Sequence, residues 1–160
     1  MRRFVPLAVA AAAAFVVMSA TAASASSHSQ VTGTGTLGQF GNPTAHVNAI
    51  QTKPGLKGSF SITYPDGTSV SGTPSCLSVN GDTAYVIGRI DESAGPRRDS
   101  NNWQPGNYLV IGLQDNGNPG KDGADNLNFS AGFASQPACG PNSAATPVFA
   151  IVDGNYHLSD

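Results

Sequence analysis

The sequence predicts an all-β chain that folds as a single antiparallel β-sandwich or barrel-like domain of about 8–10 short strands. Apolar and polar residues alternate at period two from Val31 onward, and turn-forming residues interrupt the alternation at short intervals. No stretch beyond Val31 has the spacing of an amphipathic helix. Only 11% of the residues are charged, while Gly, Ser, Thr and Asn are frequent. This composition favours strands and turns over surface helices.

The alternation places the individual strands between three clear turn signals. These signals are Pro65-Asp66-Gly67, Asn80-Gly81 and Asp153-Gly154, which combine residues that tolerate tight turns. The predicted strands are Val31–Leu37, Ala45–Gln51, Gly58–Tyr64, Thr68–Gly72, Cys76–Val79, Thr83–Ile90, Tyr108–Gln114, Leu127–Gly132, Val148–Val152 and Tyr156–Leu158.

The dipeptide Asn80-Gly81 predicts the tightest hairpin of the chain, because a type I′ turn needs positive φ at both central residues. Such a turn would place Val79 opposite Asp82 and Leu77 opposite Ala84. The alternation then predicts two faces, one made of Leu77, Val79, Ala84, Val86 and Ile90 and the other of Tyr85, Ile87 and Arg89.

Residues 1–25 have the pattern of a secretory signal peptide that is removed from the mature protein. Arg2 and Arg3 precede the apolar run Phe4–Met18, and small residues follow up to Ala23-Ser24-Ala25. We therefore expect a secreted, extracellular protein without a membrane anchor in its mature form. Residues 26–30 are predicted to be a flexible mature N-terminus and residues 31–160 a single β domain, which we expect to be monomeric.

The two cysteines, Cys76 and Cys139, both lie in the mature part of the chain. An oxidising compartment favours a disulfide between them, with two buried free thiols as the alternative. The net charge of −2 becomes more negative when Arg2 and Arg3 leave. Nucleic acid is therefore not expected as a partner, since phosphate binding needs a basic surface. The remaining basic pair, Arg97-Arg98, is flanked by acidic residues and is expected to be a solvated loop.

The segment Asp115–Asn126 is rich in oxygen-bearing side chains and glycines. Carboxylate, amide and backbone carbonyl oxygens are the ligands that Ca²⁺ takes, so calcium is the one cofactor we consider. The spacing does not match an EF-hand, and Asp, Asn, Gly and Pro also form turns without any metal. A structural turn is therefore the alternative to a calcium site, whose candidate ligands are Asp115, Asn118, Asp122 and Asp125.

The single tryptophan, Trp103, lies in a second long irregular segment together with Asn101 and Gln104. An exposed indole with neighbouring amides would suit stacking and hydrogen bonding to a sugar, which makes these three residues candidate ligand-binding groups. The alternative is a lid, with the ring folded onto the β domain, since burying an indole is favourable.

The hairpin and the Asp/Asn segment together resemble small secreted β-rich domains of actinobacterial proteins, some of which are labelled post-COAP domains. The resemblance rests on three patterns and covers most of residues 31–158. It implies an exported β-sandwich-like domain with no assigned activity, and this chain departs from it by the insertion of Lys121 to Ala124. The patterns are Leu77, Val79, Gly81, Ala84, Val86 and Gly88 with Asp115-Asn116-Gly117, Pro119-Gly120 and Asp125, the opening Val31-Thr32-Gly33-Thr34-Gly35, and Lys57-Gly58 with Phe60.

No catalytic residue is predicted. Nucleophilic catalysis needs a base beside the nucleophile, and neither His46 nor His157 lies in the context of a G-x-S-x-G elbow. We expect a secreted non-enzymatic domain with an extracellular binding or structural role, its partner being a glycan or a protein. The alternatives are a small secreted hydrolase with a dispersed site built on one of these histidines, and a secreted protease inhibitor that presents the segment Glu92–Gly106.

Overall fold

The computed structural model describes residues 28–117 and 125–160. The predicted signal peptide, residues 1–25, lies outside the described residues, as do the candidate calcium ligands Asn118 and Asp122. Within the described ranges, no helix is long and apolar enough to cross a membrane.

The all-β prediction is confirmed, and the architecture is a barrel. Among the described residues, eight antiparallel strands follow one another around a closed wall, and the last strand pairs with the first. One turn of 3₁₀ helix, Ser143–Ala145, precedes the last strand. The strands are β1 (Ser29–Leu37), β2 (Thr44–Thr52), β3 (Gly55–Thr63), β4 (Ser69–Asn80), β5 (Thr83–Ala94), β6 (Tyr108–Gln114), β7 (Asn126–Phe129) and β8 (Phe149–Ser159). In β1, Ser29 and Gln30, expected to be flexible, pair with Gln51 and Ile50.

The strand order gives the barrel two unequal ends. Since neighbouring strands run in opposite directions, the β1–β2, β3–β4, β5–β6 and β7–β8 connections all lie at one end, which we call the mouth. They comprise residues 38–43, 64–68, 95–107 and 130–148. At the opposite end, the β2–β3 and β4–β5 connections are only two residues long. Of the described residues that connect strands, most therefore lie at the mouth.

The barrel interior is filled by side chains, as expected for a barrel of eight strands. Tyr156 is fully buried there, and its hydroxyl donates a hydrogen bond to the Ala45 carbonyl oxygen at 2.8 Å. Burial raises the pKa of Tyr156 above its ordinary value. A Cβ atom at Gly33 or Gly35 would collide with the Tyr156 ring. This contact explains why glycine alternates with threonine along β1.

A long connection, residues 130–148, covers the outer face of β4, β5 and β6, and we call it the strap. The predicted disulfide is confirmed: Cys76 on β4 is bonded to Cys139 on the strap, with a Cα–Cα distance of 5.8 Å. Beneath the strap, Tyr85, Ile87 and Val110 pack with Ala145 in a second apolar cluster. Strands β5 and β6 are consequently buried on both faces, which accounts for their nearly continuous apolar sequence.

Two interruptions that were predicted between strands are wrong, because the strand is continuous at each of them. The strands predicted at Thr68–Gly72 and Cys76–Val79 form one strand, β4, which passes through Pro74 at an irregularity in its pairing with β5. Such irregularities accommodate a proline that cannot donate to the ladder. Likewise, the predicted turn Asp153-Gly154 lies inside β8 and follows a bulge at Val152, where Thr36 and Leu37 pair with Asp153 and Ile151.

The predicted register of the β4–β5 hairpin is also wrong, although its two faces are correct. Val79 pairs with Ala84 and Leu77 with Val86, so the two turn residues are Gly81 and Asp82. Gly81 has φ +60°, whereas Asn80 is not in the left-handed region. The registers differ by two positions, and a shift of two residues leaves every side chain on its original face.

Candidate functional site

The β5–β6 connection, residues 95–107, folds back over the mouth and brings Trp103 into the barrel end. The Trp103 side chain is 1% exposed, and its ring centroid lies 6.0 Å from those of both Tyr64 and Phe129. Its Nε1 donates a hydrogen bond to the Ser130 carbonyl oxygen at 3.3 Å. The tryptophan is therefore a lid on the barrel, and the expectation of an exposed stacking platform is wrong.

Hydrogen bonds to the strap hold this lid in place. Asn102 adopts φ +54°, a left-handed conformation that Asn tolerates better than most residues. Its Nδ2 donates to the Gly132 carbonyl oxygen at 2.8 Å, and the Gly132 N–H donates to the Asn101 carbonyl oxygen at 2.8 Å. Gln104, a predicted ligand-binding residue, instead donates from Nε2 to Asp99 at 2.8 Å and accepts a hydrogen bond from Arg98.

A cleft of about 390 Å³ opens between the lid, the β1–β2 connection and the start of the strap, and we call it the mouth cleft. This volume lies in the range of small-molecule sites, which commonly occupy the mouths of β-barrels. Of the three predicted ligand-binding residues, the structure brings Asn101 and Trp103 into this cleft. The lining residues are Phe40, Gly41, Tyr64, Arg97, Ser100, Asn101, Trp103, Asn128, Phe129, Ser130 and Ala131.

Arg97 forms a rigid cationic wall of the mouth cleft. Its guanidinium carbon lies 4.5 Å from the centroid of the Tyr64 ring, a cation–π contact. Nε donates to Asp66 Oδ2 at 2.6 Å, and Nη1 donates to the Phe40 carbonyl oxygen at 3.2 Å. The hydrogen bond from Arg97 lowers the pKa of Asp66 to about 2. Arg97 lies in a solvent-exposed connection, as expected, but these contacts hold its side chain, which is 42% exposed.

Phe40 presents the exposed aromatic ring of the site. It is 53% exposed, and its ring packs edge-on against Phe149 with centroids 4.8 Å apart. Phe40, Gly41 and Asn42 all have positive φ, at 58°, 89° and 55°. This backbone is strained at Phe40 and Asn42, and surrounding contacts must hold it. The hydrogen bond from Arg97 to the Phe40 carbonyl oxygen is one such contact, so Arg97 helps to hold the backbone that carries the exposed Phe40 ring.

Short polar side chains complete the lining. The side-chain amide of Asn101 makes no hydrogen bond to any other described residue, whereas its backbone N–H donates to the Arg97 carbonyl oxygen. Asn128 is engaged: Nδ2 donates to the Thr146 carbonyl oxygen at 3.0 Å and Oδ1 accepts from the Phe129 N–H at 2.8 Å. Arg97 is the one charged side chain among the described lining residues.

Two further depressions, of about 400 Å³ each, show that volume alone does not identify a site. One has a single acidic side chain and the other has two, and neither has a basic one among its described lining residues. Neither contains tryptophan or phenylalanine. Their lining residues are Ser78, Asn80, Asp82, Thr83, Tyr85 and Pro141 for one and Ser69, Ser71, Asp91, Glu92, Ser93, Ala94 and Pro105 for the other.

The described candidate calcium ligands, Asp115 and Asp125, bind backbone N–H groups. Asp125 is 3% exposed, and its two oxygens accept from Asn116 at 3.0 Å and from Tyr156 at 2.6 Å. Asp115 accepts from Gly117 at 2.9 Å and from Leu158 at 3.3 Å. In the part of the chain that the structure describes, no group of three or more His, Cys, Asp or Glu residues is arranged to hold a metal ion.

The histidines considered for a hydrolase lie on the outside of the barrel. His46 on β2 shares a hydrogen bond with the Thr34 hydroxyl at 2.8 Å. His157 on β8 lies 4.0 Å from an Asp115 oxygen, and its side chain is 67% exposed. Neither is among the residues that line the mouth cleft.

Sequence reasoning missed Phe40, Tyr64, Arg97 and Asn128 as members of one site. A weak signal existed at Phe40, an aromatic residue that lies between Gly38 and Gly41 in the segment that connects the first two predicted strands. No local signal could pair Arg97 with Asp66, because the two residues are 31 positions apart.

No protein-family model, curated protein or solved structure matches this chain. The resemblance to small secreted actinobacterial β-rich domains therefore stays a prediction. The assignment of a function depends on the mouth cleft itself.

Proposed function

We propose that this protein is a secreted, non-enzymatic binding domain that takes a hydroxyl-rich ligand, such as one unit of an extracellular glycan, in the mouth cleft. The observation that carries the proposal is the combination of an exposed aromatic ring, an immobilised guanidinium and an unpaired amide around one cleft. These groups belong to Phe40, Arg97 and Asn101.

The chemistry of these groups fits a sugar. An exposed aromatic ring offers an apolar surface on which the C–H face of a pyranose can stack. The Asn101 amide can both donate and accept, as a sugar hydroxyl requires. Because the lid and the strap hold the cleft walls by hydrogen bonds, little ordering entropy is lost when a ligand enters.

Two observations support the extracellular location that is part of this proposal. A disulfide is compatible with an oxidising compartment, and Cys76–Cys139 fastens the strap to the barrel. The second support is the signal-peptide pattern of residues 1–25. We include secretion in the proposal for these reasons.

The two alternative functions have less support from the geometry. A hydrolase built on His46 or His157 would need a concave site at one of these rings, and both side chains lie on the outer wall instead. A protease inhibitor would need the segment Glu92–Gly106 to project as an extended loop. The segment continues β5 to Ala94 and then folds into successive turns that bury Trp103.

Trp103 provides the test, because it is the one tryptophan of the chain and it lines the cleft. The emission spectrum of the mature, oxidised protein is recorded during titration with D-glucose, D-galactose, D-mannose, N-acetyl-D-glucosamine, D-glucuronate and short oligosaccharides of these units. We expect a saturable change for at least one of them. Phe40→Ala and Asn101→Ala should each weaken this binding about tenfold, since one such contact contributes on the order of 1 kcal/mol.

Matched control variants are available outside the cleft. Val148→Ala removes another exposed apolar side chain, and Asn80→Ala removes an exposed amide at the opposite end of the barrel. Both controls should bind like the unmodified protein. No saturable response to any of the sugars, or equal losses in the controls and the cleft variants, would contradict the proposal.

A further inference from the structure

We infer that the ligand of the mouth cleft carries a carboxylate, and that the cleft selects acidic sugars of the uronic acid class through Arg97. This inference rests on the proposed function and adds the chemical class of the ligand. It depends on the charge of the cleft, on the unused edge of the guanidinium and on the polar groups around it.

The charge of the cleft differs in sign from the charge of the protein. The chain as a whole has a formal net charge of −2. Among the described residues that line the mouth cleft, none is acidic and Arg97 is basic. The two other depressions have the opposite lining, with acidic and no basic side chains among their described residues. A carboxylate is therefore attracted to the mouth cleft and repelled from the other two.

The guanidinium has a donor group left for a ligand. Nε is bonded to Asp66 and Nη1 to the Phe40 carbonyl, while Nη2 has no hydrogen-bond partner among the described residues. The Tyr64 ring and the Asp66 carboxylate fix the plane of the guanidinium before any ligand arrives. A preorganised, charged donor forms stronger hydrogen bonds to a carboxylate than to a neutral hydroxyl.

Asp66 limits how strongly this donor attracts anions, because it already pairs with the same guanidinium. Its carboxylate also accepts a hydrogen bond from the Thr68 N–H at 2.9 Å, so it is held in place in the β3–β4 connection. Asp66 is absent from the described lining of the cleft, and it contacts the Nε side of Arg97. The pair thus orients the guanidinium while leaving its Nη2 available to a ligand.

The surroundings favour a sugar acid over a simple carboxylate. Asn101 offers an unpaired amide and Ser100 a hydroxyl, and both line the same cleft as Arg97. Phe40, whose carbonyl oxygen accepts the bond from Arg97, adds an exposed aromatic ring. A uronic acid has the three matching parts, namely a carboxylate, several hydroxyls and an apolar ring face.

The test compares D-glucuronate, D-glucose and acetate as probes, by Trp103 emission and by isothermal titration calorimetry at two salt concentrations. D-glucuronate should bind at least about tenfold more tightly than D-glucose, because charge-assisted hydrogen bonds contribute on the order of 1.5–3 kcal/mol. Acetate should bind more weakly than D-glucuronate, and added salt should weaken the complexes of both carboxylates while leaving the D-glucose complex unchanged.

Two substitutions connect the preference to Arg97. Arg97→Gln should bring the affinity for D-glucuronate down to that for D-glucose. Asp66→Asn removes the competing negative charge and keeps a side-chain oxygen that can accept the Arg97 Nε bond, so it should raise the affinity for D-glucuronate relative to that for D-glucose severalfold. Near-ultraviolet circular dichroism of both variants shows whether the environment of Trp103 is intact. Asp153→Asn, at an exposed acidic position of β8 outside the described cleft lining, serves as the control for Asp66→Asn.

The outcomes separate this inference from the proposed function. Equal affinities for D-glucose and D-glucuronate would overturn the inference and leave the glycan proposal standing. Equal affinities for acetate and D-glucuronate would also overturn it, because the carboxylate alone would then be recognised, as in a peptide terminus. A response to none of the sugars would contradict both proposals.

Discussion

Asp125 lies in the segment for which the sequence leaves a structural turn and a calcium site open. Its carboxylate accepts hydrogen bonds from the backbone N–H groups of Asn116 and Tyr156. Strands β7 and β8 pair through only two residue pairs, Asn126 with Ala150 and Leu127 with Phe149. Tyr156 lies beyond the last β8 residue that pairs with β7. The Asp125 carboxylate therefore accepts the Tyr156 N–H bond in place of a backbone carbonyl oxygen of β7.

Replacing Asp125 with Asn should destabilise the protein by about 2 kcal/mol, since a buried charge-assisted hydrogen bond is lost and one N–H faces an amide NH₂ group. Urea denaturation followed by Trp103 fluorescence measures the loss. Asp153→Asn, at an exposed position of β8, is the control and should change stability by less than about 0.5 kcal/mol. Equal stability of Asp125→Asn and the unmodified protein would refute this role.

The same variant tests the calcium hypothesis. Thermal unfolding of the oxidised protein is compared in EDTA and in millimolar Ca²⁺. If the carboxylate serves the backbone alone, the melting temperature is the same in both conditions for the unmodified protein and for Asp125→Asn. A calcium-dependent increase that Asp125→Asn abolishes would establish a metal site at this segment instead.

At the scale of elements, the strap explains why β5 and β6 carry apolar residues on both faces. One face fills the barrel, and the other is covered by the strap at Tyr85, Ile87 and Val110. A Cβ atom at Gly112 of β6 would collide with the Ala145 carbonyl oxygen, so strap and strand lie in direct contact. The disulfide closes a loop with a sequence separation of 63 residues.

Replacing both cysteines with serine should lower the free energy of unfolding by about 4 kcal/mol in the chain-entropy model for a loop of this length. It should also loosen the strap and expose the apolar outer face of β5. Urea denaturation measures the first effect and binding of the dye ANS the second. Unchanged stability together with absent dye binding would show that the strap is held by packing alone.

Strand positions were predictable because their signal is local. Alternation with period two identifies half-buried strands wherever they pair, so the barrel wall follows from the sequence. Pro74 and Asp153-Gly154 misled the prediction, because pairing with neighbouring strands carries the chain through both positions. Such pairing is a tertiary effect that outweighs local turn preference.

The mouth cleft was only partly predictable, since its walls come from separate connections. Trp103 and Asn101 stand out in the sequence, but whether the indole is exposed depends on Tyr64, Phe129 and the strap. Arg97 is held in place by Asp66 and by the Phe40 carbonyl oxygen, which is 57 positions away. Nothing local in the sequence encodes these pairings.

At the scale of the whole molecule, closure of the barrel between β1 and β8 is what assembles the site. It makes β1 and β8 neighbours, so that the first and last connections lie next to each other at the mouth. The edge-on contact of Phe40 with Phe149 joins the β1–β2 connection to the start of β8. The mouth cleft therefore depends on the complete barrel and not on any one hairpin.

The Asp66–Arg97 pair makes the stability of the fold depend on pH in the acid range. The folded pKa of Asp66 is about 2, below the unfolded value of about 3.9, so this pair stabilises the fold above about pH 4. That stabilisation is lost as the pH falls through about 2. The melting temperature of the unmodified protein should fall across this range more steeply than that of Asp66→Asn. Parallel curves for the two proteins would contradict the assignment.

The most direct test of the proposed binding site is a chemical-shift map of the ¹⁵N-labelled mature protein titrated with D-glucuronate. The account predicts that the perturbed amides cluster at the mouth, in residues 38–43, 64–68, 95–107 and 128–131. Amides at the two-residue connections of the opposite end should not shift. Perturbations confined to that end or to the outer wall around His46 and His157, or none at all at saturating D-glucuronate, would contradict it.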